Sequence, residues 1–338
     1  MEMSDLARRQ FLRKAGLGIF ALQAGAAPSG RPLRGIFPIA QTPFLTSGEL
    51  DVETLVRQLE FIHRGGVHGF VWPQLASEWS TLTEEERRKG AEALVAAGKR
   101  WKPAIVIGVQ GPDAAAAVRY AEHAARIGAD AVIALPPPGK PDPDAVLAYY
   151  QRIGKATEFP LFVQAVGDMS VDLILKMWKA VPTLKLIKDE AGEPLMRIDR
   201  LRRESSDDIK VFTGAHGRTL IDEMHRGTSG TMPAASFADL YAAAWDHWQA
   251  GRQKEAIEMF SRAALLITEV QLYGIASLKY ILQLRGVFKN YDLRAPKGEG
   301  SAPSMLAAGG LQERGRLDAQ GKEVLARLVE FARPYFRA

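Results

Sequence analysis

Short apolar runs alternate with amphipathic stretches along the chain from residue 35 onward. The apolar runs have the length and composition of buried strands and cover residues 36–40, 69–72, 104–108, 131–135, 161–164, 184–188, 211–213 and 230–232. Helical periodicity fills the intervals at residues 51–64, 83–97, 113–127, 143–157, 171–181 and 217–226, and returns over 237–250. Strands that alternate with helices pair in parallel, and eight such repeats close into a barrel. The pattern predicts an α/β fold, a (β/α)8 TIM barrel, over residues 34–250.

The last part of the chain, residues 251–338, has a helical pattern and no further strand candidate. Residues 297–310 interrupt this pattern with a segment rich in glycine, serine, proline and alanine, which indicates a linker or an exposed loop. We therefore expect a C-terminal helical annex beside the barrel.

The N-terminus carries the features of an export signal. Arg8 and Arg9 precede a short, moderately apolar run from Ala15, which ends in small residues at Ala26. This segment resembles a twin-arginine signal and is too short to remain as a membrane span. We expect residues 1–27 to be removed and the folded protein to reach the periplasm, without membrane contact after processing. The alternative is a basic amphipathic helix that stays on the protein.

Composition excludes several classes of function. The chain of 338 residues has a formal net charge of +5, but its acidic and basic residues are interleaved, without the basic block that binds a phosphate backbone. It contains no cysteine, which excludes disulfides and thiolate ligands, and its six histidines are scattered. We therefore expect no nucleic-acid partner and no metal site, and nothing in the sequence implies a cofactor.

A lysine interrupts the sixth strand candidate where the strand ends. Leu184, Leu186 and Lys188 fall on one face of this strand, whereas Asp189 falls on the other. Burial favours the neutral amine, so we expect a lowered pKa for Lys188, with no carboxylate on its own face to oppose the shift. A neutral lysine amine is a nucleophile toward carbonyl carbon. The alternative is a lysine that reaches solvent from the strand end.

In a TIM barrel, residues at the carboxyl ends of the strands line the active-site mouth. This places Lys188 in the mouth and makes the other polar residues at strand ends candidates for substrate binding. These candidates are Gln74, Ser77, Glu78, Gln164, Thr213, His216 and Thr231. Each has a structural alternative: Glu78 pairs with a neighbouring arginine, His216 begins a helix, and residues 227–233 form a turn that leads into the last strand.

Several segments, taken in order, resemble the dihydrodipicolinate synthase and N-acetylneuraminate lyase family of class I aldolases. They are GIFPIAQTPF, SEWSTLTEEER, PPPGKP, LIKDEAGE, FTGAH, GTSGTMPAASF and LKYILQLRGVF, which span most of residues 35–288. The resemblance implies a lyase that binds a 2-oxo acid or a related carbonyl compound, with Lys188 as its Schiff-base lysine. It also implies a homo-oligomer, a dimer or a tetramer.

The sequence departs from the family at the residues that move protons. The Gly-Thr-Thr-Gly-Glu loop of the family reads QLASE at residues 74–78, and only Glu78 is retained. Gln164 stands where the family has a catalytic tyrosine, and Pro138 where it has a second tyrosine. The side chains of glutamine and proline do not serve as general acids or bases. The family relay is therefore missing, and Glu78, Asp189 and His216 are the candidates to replace it.

Three interpretations of function follow from the sequence. The first is a lyase that retains covalent lysine chemistry with another acid and base. The second is a diverged barrel that carries out a non-covalent reaction, with Lys188 acting only through its charge. The third is a binding protein for a small acid.

Overall fold

The structure, a computed structural model, describes residues 30–139, 141–294 and 317–338. The predicted export signal and the linker at residues 297–310 lie outside these ranges. Eight strands are present: β1 Gly35–Ile36, β2 Gly69–Trp72, β3 Ala104–Gly108, β4 Ala131–Ala134, β5 Leu161–Ala165, β6 Leu184–Asp189, β7 Lys210–Thr213 and β8 Gly230–Thr231. The barrel helices are α1 Val52–Arg64, α2 Glu84–Gly98, α3 Ala114–Ile127, α4 Pro143–Ala156, α5 Val171–Ala180, α6 Pro194–Glu204, α7 Leu220–His225 and α8 Ala238–Gln249.

The strands form one parallel sheet in the order β1, β8, β7, β6, β5, β4, β3, β2. Ile39, just after β1, bridges to Val71 on one side and to Ala234 on the other, which joins the two edges of the sheet. The prediction of a (β/α)8 barrel is confirmed. The carboxyl ends of all eight strands consequently meet at one end of the barrel.

Alternation of side chains along each strand separates the barrel interior from the layer beneath the helices. The interior is filled by buried apolar side chains, which are Phe37, Ile39, Val71, Ala104, Val106, Ala131, Ile133, Phe162, Leu186, Phe212 and Met232. Residues two positions beyond these, toward the carboxyl end, also point inward. Period two therefore places Gln164, after Phe162, and Lys188, after Leu186, on the inner face at the mouth.

The helix α6, between β6 and β7, is absent from our sequence-based assignment. Its sequence is rich in arginine, and only Ile198 and Leu201 are buried on it, so its apolar stripe is narrow. Pro194, at its first position, marks its start. Arg197, on this helix, forms an ion pair with Asp189 of β6.

The annex consists of α9 Gln253–Leu284 and α10 Ala319–Ala332. Gly274 interrupts α9 with a φ of 62°. The helix α9 has the length and apolar composition of a membrane span, but its buried side chains, among them Leu266 and Val270, belong to the main core. Arg285, just after α9, forms a buried double hydrogen bond with Asp239 of α8, at 2.9 and 2.7 Å. The annex is thus anchored to the last barrel helix.

Candidate active site

Lys188 lies at the end of β6, inside the barrel, with 5% of its side chain exposed. Its Nζ atom is 2.8 Å from Oε2 of Glu190. Glu190 is two residues further along the chain and therefore lies on the same face as Leu186 and Lys188. Our expectation that no carboxylate faces Lys188 is wrong. Sequence reasoning missed Glu190 although period two, extended by one residue past the strand, points to it.

Three donors hold the Glu190 carboxylate in place. Oε2 accepts the Gln164 side-chain amide at 2.5 Å as well as the lysine, and Oε1 accepts the backbone N–H of Ala215 at 2.8 Å. Gln164 is the direct neighbour of Lys188 across the β5–β6 ladder. A Cβ atom on Gly214 would lie 2.1 Å from Oε1, so only glycine leaves room for the carboxylate at this position.

These contacts determine the charge of Glu190. Burial raises the pKa of this carboxyl, but the positive charge of Lys188 and the hydrogen bonds from Lys188, Ala215 and Gln164 outweigh burial, so its pKa lies below the ordinary value. Glu190 is therefore ionised, and Lys188 and Glu190 form a buried ion pair whose members are both close to the barrel mouth.

The loop after β7 brings His216 to the same place. Ala215, His216 and Gly217 all have positive φ, of 49°, 60° and 59°, a conformation that costs non-glycine residues of the order of 1–3 kcal/mol each. Glu190 accepts from the N–H of Ala215, and the Tyr241 hydroxyl donates to the His216 carbonyl at 2.5 Å. Burial lowers the pKa of His216 to about 4, with Lys188 adding to the shift and Glu190 opposing it. His216 is consequently neutral near pH 7.

Three buried glutamines, two of them after strands β1 and β2 and one within β5, have side-chain carbonyl oxygens with no hydrogen-bond partner among the described residues. They are Gln41, Gln74 and Gln164. The amide nitrogens are already committed: to the Ile39 carbonyl from Gln41, to Gln110 Oε1 from Gln74, and to Glu190 from Gln164. Gln110 in turn donates to the Pro73 carbonyl, which fixes the orientation of its amide. The unpaired atoms are therefore acceptors, and they suit a ligand that carries hydrogen-bond donors.

Two of the predicted substrate-binding residues, Thr213 and Thr231, face the layer beneath the helices. Phe212 and Met232 next to them belong to the interior cluster, so alternation directs both threonines outward. The Thr213 hydroxyl is 2.5 Å from Glu223 Oε2 and 2.9 Å from the Thr231 hydroxyl. The structure thus places these two threonines in a buried network around Glu223 and not in the mouth.

Glu223 titrates close to pH 7 in this network. Burial raises its pKa to about 7, with hydrogen bonds from Thr213 and Thr219 opposing the shift. The hydroxyl network suits both protonation states of Glu223. An ionised Glu223 accepts from Thr213, which accepts from Thr231, whereas a protonated Glu223 donates to Thr213, which then donates to Thr231.

The raised pKa of Glu223 predicts a stability that depends on pH. The folded pKa of about 7 exceeds the ordinary 4.5, so the stability from this shift is fully present below pH 4.5 and is lost as pH rises through 7. Glu223→Gln cannot ionise and avoids this loss. We expect its unfolding free energy, relative to wild type, to rise by the order of 3 kcal/mol between about pH 5 and about pH 8. Denaturant titrations at both pH values measure the difference.

The exposed Glu255 provides the control for this prediction. Glu255→Gln should leave the pH dependence of wild type unchanged. A Glu223→Gln protein that follows the wild-type pH dependence would show that Glu223 does not ionise in this range.

Two further predicted site residues, Ser77 and Glu78, are engaged by other parts of the protein. The Ser77 hydroxyl donates to the Ala40 carbonyl at 2.5 Å and accepts the N–H of Gln74 at 3.0 Å. Oε2 of Glu78 is 2.5 Å from Nζ of Lys279 in α9, and Oε1 accepts the backbone N–H of Arg294 at 2.9 Å. Glu78 therefore connects the loop after β2 to the annex. The structural alternative expected Glu78 to pair with a neighbouring arginine, and the side chain that it pairs with is a lysine.

Asp189, a candidate to replace the missing relay, points away from the interior. Its carboxylate is fully buried and accepts from Nε of Arg197 in α6 at 2.8 Å. Burial raises the pKa of Asp189, and Arg197 opposes the shift. Among the predicted site residues, the structure brings together Lys188, Gln164 and His216 around Glu190. The described residues contain no group of three or more His, Asp or Glu side chains suited to a metal ion.

Comparison with known proteins gives consistent matches. A sequence model described as the Dihydrodipicolinate synthetase family matches residues 32–305. The chain is 27% identical over 286 residues to 4-hydroxy-tetrahydrodipicolinate synthase of Rhizobium meliloti (strain 1021), with 81% of this chain and 95% of the relative covered. It is 27% identical over 276 residues to L-2-keto-3-deoxyarabonate dehydratase of Azospirillum brasilense, with 79% and 89% covered.

A solved structure confirms the fold. YagE, a prophage protein of the dihydrodipicolinic acid synthase family from E. coli K12, was determined in complex with pyruvate. It superposes with a TM-score of 0.78 at 18% identity, and the match covers 89% of this chain and 99% of YagE. At this identity the likeness establishes the barrel and its annex.

Proposed function

Because the chain belongs to the dihydrodipicolinate synthetase family, we propose that it is a lyase that forms a Schiff base between Lys188 and a 2-oxo acid or related carbonyl compound. The observation that carries this proposal is the position of Lys188. It lies inside the barrel at the carboxyl end of β6, almost fully buried, with a carboxylate 2.8 Å from its Nζ atom. A lysine in this setting can transfer a proton to its partner and attack a carbonyl carbon.

Hydroxyl groups on the substrate would suit the glutamine oxygens at the strand ends. Gln41, Gln74 and Gln164 each present a buried carbonyl oxygen without a donor among the described residues, and an unpaired buried acceptor costs of the order of 1–3 kcal/mol. A hydroxylated oxo acid supplies such donors, whereas pyruvate does not. The name of the Azospirillum relative, a 2-keto-3-deoxyarabonate dehydratase, supports this substrate class.

Trapping with borohydride tests the proposed function. The protein is incubated with pyruvate, with 2-oxobutyrate, with 3-deoxy-2-oxo sugar acids and with simple aldehydes, each with borohydride, and its intact mass is measured. We expect an irreversible mass gain from at least one oxo acid, located at Lys188 by peptide mapping. No adduct with any compound would reject covalent catalysis.

A second function, non-covalent catalysis or binding of a small acid, is favoured by one observation. The ion pair with Glu190 gives Lys188 a structural role that requires no carbonyl chemistry. Under this alternative the borohydride experiment gives no adduct, and turnover of a bound acid separates an enzyme from a binding protein. The predicted homo-oligomer stays a prediction under both functions.

We propose that the protein is exported, and the motivating feature is the pair Arg8 and Arg9 before an apolar run. Replacing both with lysine is expected to hold the precursor in the cytoplasm, since twin-arginine export requires the arginine pair. Fractionation and N-terminal sequencing should find the wild-type protein in the periplasm, beginning near Ala27. Arg13→Lys, in the same segment, is the control. Export of the double variant at the wild-type level would reject this route.

A further inference from the structure

The carboxylate of Glu190 is in direct contact with the nitrogen that the proposed function makes the reacting atom. We propose that Glu190 is the general acid and base of this site and carries the protons that the missing tyrosines carry in the family. The inference rests on the proposed Schiff-base function. Glu190 Oε2 is 2.8 Å from Lys188 Nζ, which is within the distance required for direct proton transfer.

The orientation of Glu190 is set before a substrate binds. Its Oε1 atom is held by the N–H of Ala215 in the strained turn after β7, and its Oε2 atom by the Gln164 amide. Oε2 is therefore the carboxylate oxygen that faces Lys188. A fixed carboxylate oxygen of this kind avoids the reorganisation that a mobile side chain would need in the transition state.

The other carboxylates considered for this role are engaged elsewhere. Asp189 faces outward and is bound to Arg197, and Glu78 is bound to Lys279. His216 lies near Glu190 and Lys188, but its low pKa, about 4, leaves it neutral and a poor proton acceptor near pH 7. Glu190 is the group that combines contact with the nitrogen and ionisation.

The affinity of Glu190 for a proton changes with the charge on Lys188. While the lysine nitrogen is positive, it holds the pKa of Glu190 below the ordinary value. When the nitrogen becomes neutral, burial remains and raises that pKa. Proton transfer between the two removes both charges at once, which burial favours. Glu190 is consequently able to accept and to release a proton at successive steps.

The steps balance with Glu190 as the carrier. The Lys188 ammonium gives a proton to Glu190, and the neutral amine attacks the substrate carbonyl carbon, whose oxygen takes the proton that the nitrogen loses. Glu190 then protonates the hydroxyl of this adduct, which leaves as water while the nitrogen lone pair forms the iminium. The Glu190 carboxylate next takes a proton from the carbon beside the iminium, and that C–H electron pair forms the enamine double bond.

Gln164, in place of the family tyrosine, is a positioning residue in this scheme. Its amide nitrogen donates to Glu190, and its own side chain carries no proton that titrates near neutral pH. Gln164 therefore does not replace the proton-carrying function of the family tyrosine. In this scheme the Glu190 carboxylate, two residues after Lys188, carries the proton.

Hydrogen exchange into pyruvate tests Glu190 separately from the overall reaction. Pyruvate is incubated with the full-length protein in D2O, and loss of its methyl proton signal reports enamine formation at each pH. Glu190→Gln should lower the exchange rate by about 10²–10⁴-fold and remove its dependence on ionisation of a carboxyl. His216 and Asp189 also interact electrostatically with Glu190, and Arg218 acts on His216, so His216→Asn is measured alongside.

Two further variants complete the test. Glu190→Asp keeps a carboxylate and should retain more exchange than Glu190→Gln, whereas a purely structural role would not distinguish them at equal stability. The exposed Glu193, in the same loop, supplies the control Glu193→Gln. Exchange by Glu190→Gln at the wild-type rate, with a Lys188 adduct still trapped, would overturn the role of Glu190 alone. Absence of both adduct and exchange in wild type would overturn the proposed function and this inference together.

Discussion

Lys188→Met is expected to abolish the borohydride-trapped adduct and all turnover of the cognate carbonyl compound. The nitrogen of Lys188 is the nucleophile of the proposed reaction, and methionine provides similar volume without an amine. Intact mass after reduction, together with a turnover or exchange assay, measures both effects. Lys185→Met is the matched control, because Lys185 lies on the same strand and is exposed.

The same change is expected to affect stability. Methionine leaves the Glu190 carboxylate without its cation, and breaking a buried ion pair on one side costs about 3–5 kcal/mol, a value reduced here by proton uptake and by the 19% exposure of Glu190. Lys188→Met with Glu190→Gln should recover part of the loss. Appreciable turnover by a folded Lys188→Met protein would show that the reaction is not covalent at this lysine.

The fold was predictable because its signal is repeated eight times. Seven of the eight predicted strands agree with the structure to within one residue at either end, and the exception, β1, is confined to Gly35–Ile36. The helix α6 was missed because its charged sequence carries only a narrow apolar stripe, and its burial comes from tertiary packing. The family resemblance stated from the motifs is confirmed by the match over residues 32–305.

The candidate site was predicted in part. Lys188 and Gln164 follow from period two on strands whose inner faces are apolar. Thr213 and Thr231 lie at strand ends, which predicts a place in the mouth. Their neighbours Phe212 and Met232 point into the barrel, so alternation along the strand directs both threonines outward. Glu190 lies one residue past the end of β6, and we did not extend the alternation in the sequence beyond the strand. Counting two residues on from Lys188 identifies Glu190 as the next residue on the same face.

Contacts between distant segments were beyond the reach of local patterns. Glu78 is retained from the family loop, and only the structure shows that Lys279 of the annex meets it. Both side chains are nearly inaccessible, at 8% and 1% exposure. Lys279 also donates to the Asp292 carbonyl at 2.7 Å and lies 4.5 Å from the centre of the Phe44 ring. Burial lowers the pKa of Lys279, while Glu78 opposes that shift.

Glu78→Gln is therefore expected to reduce stability much more than chemistry. The variant leaves the Lys279 ammonium buried without its counter-ion, which costs about 3–5 kcal/mol in pairs of this kind. Lys279→Met leaves the Glu78 carboxylate buried without its cation and should lower the unfolding free energy by a similar amount. The double variant removes both charges and is expected to lose less than the sum of the two single changes. Denaturant unfolding of all four proteins gives the coupling free energy.

An exposed pair on the same helix calibrates this experiment. Nζ of Lys254 is 3.9 Å from Oε1 of Glu258, and 87% and 61% of the two side chains are exposed. Lys254→Met should therefore change the unfolding free energy by only about 0–1 kcal/mol. The adduct at Lys188 should survive in every variant that remains folded, because the Glu78 carboxylate is occupied by Lys279 and Arg294. If Glu78→Gln abolished adduct formation with an unchanged unfolding free energy, Glu78 would act on the substrate, as the sequence alone suggested, and the anchoring role would be wrong.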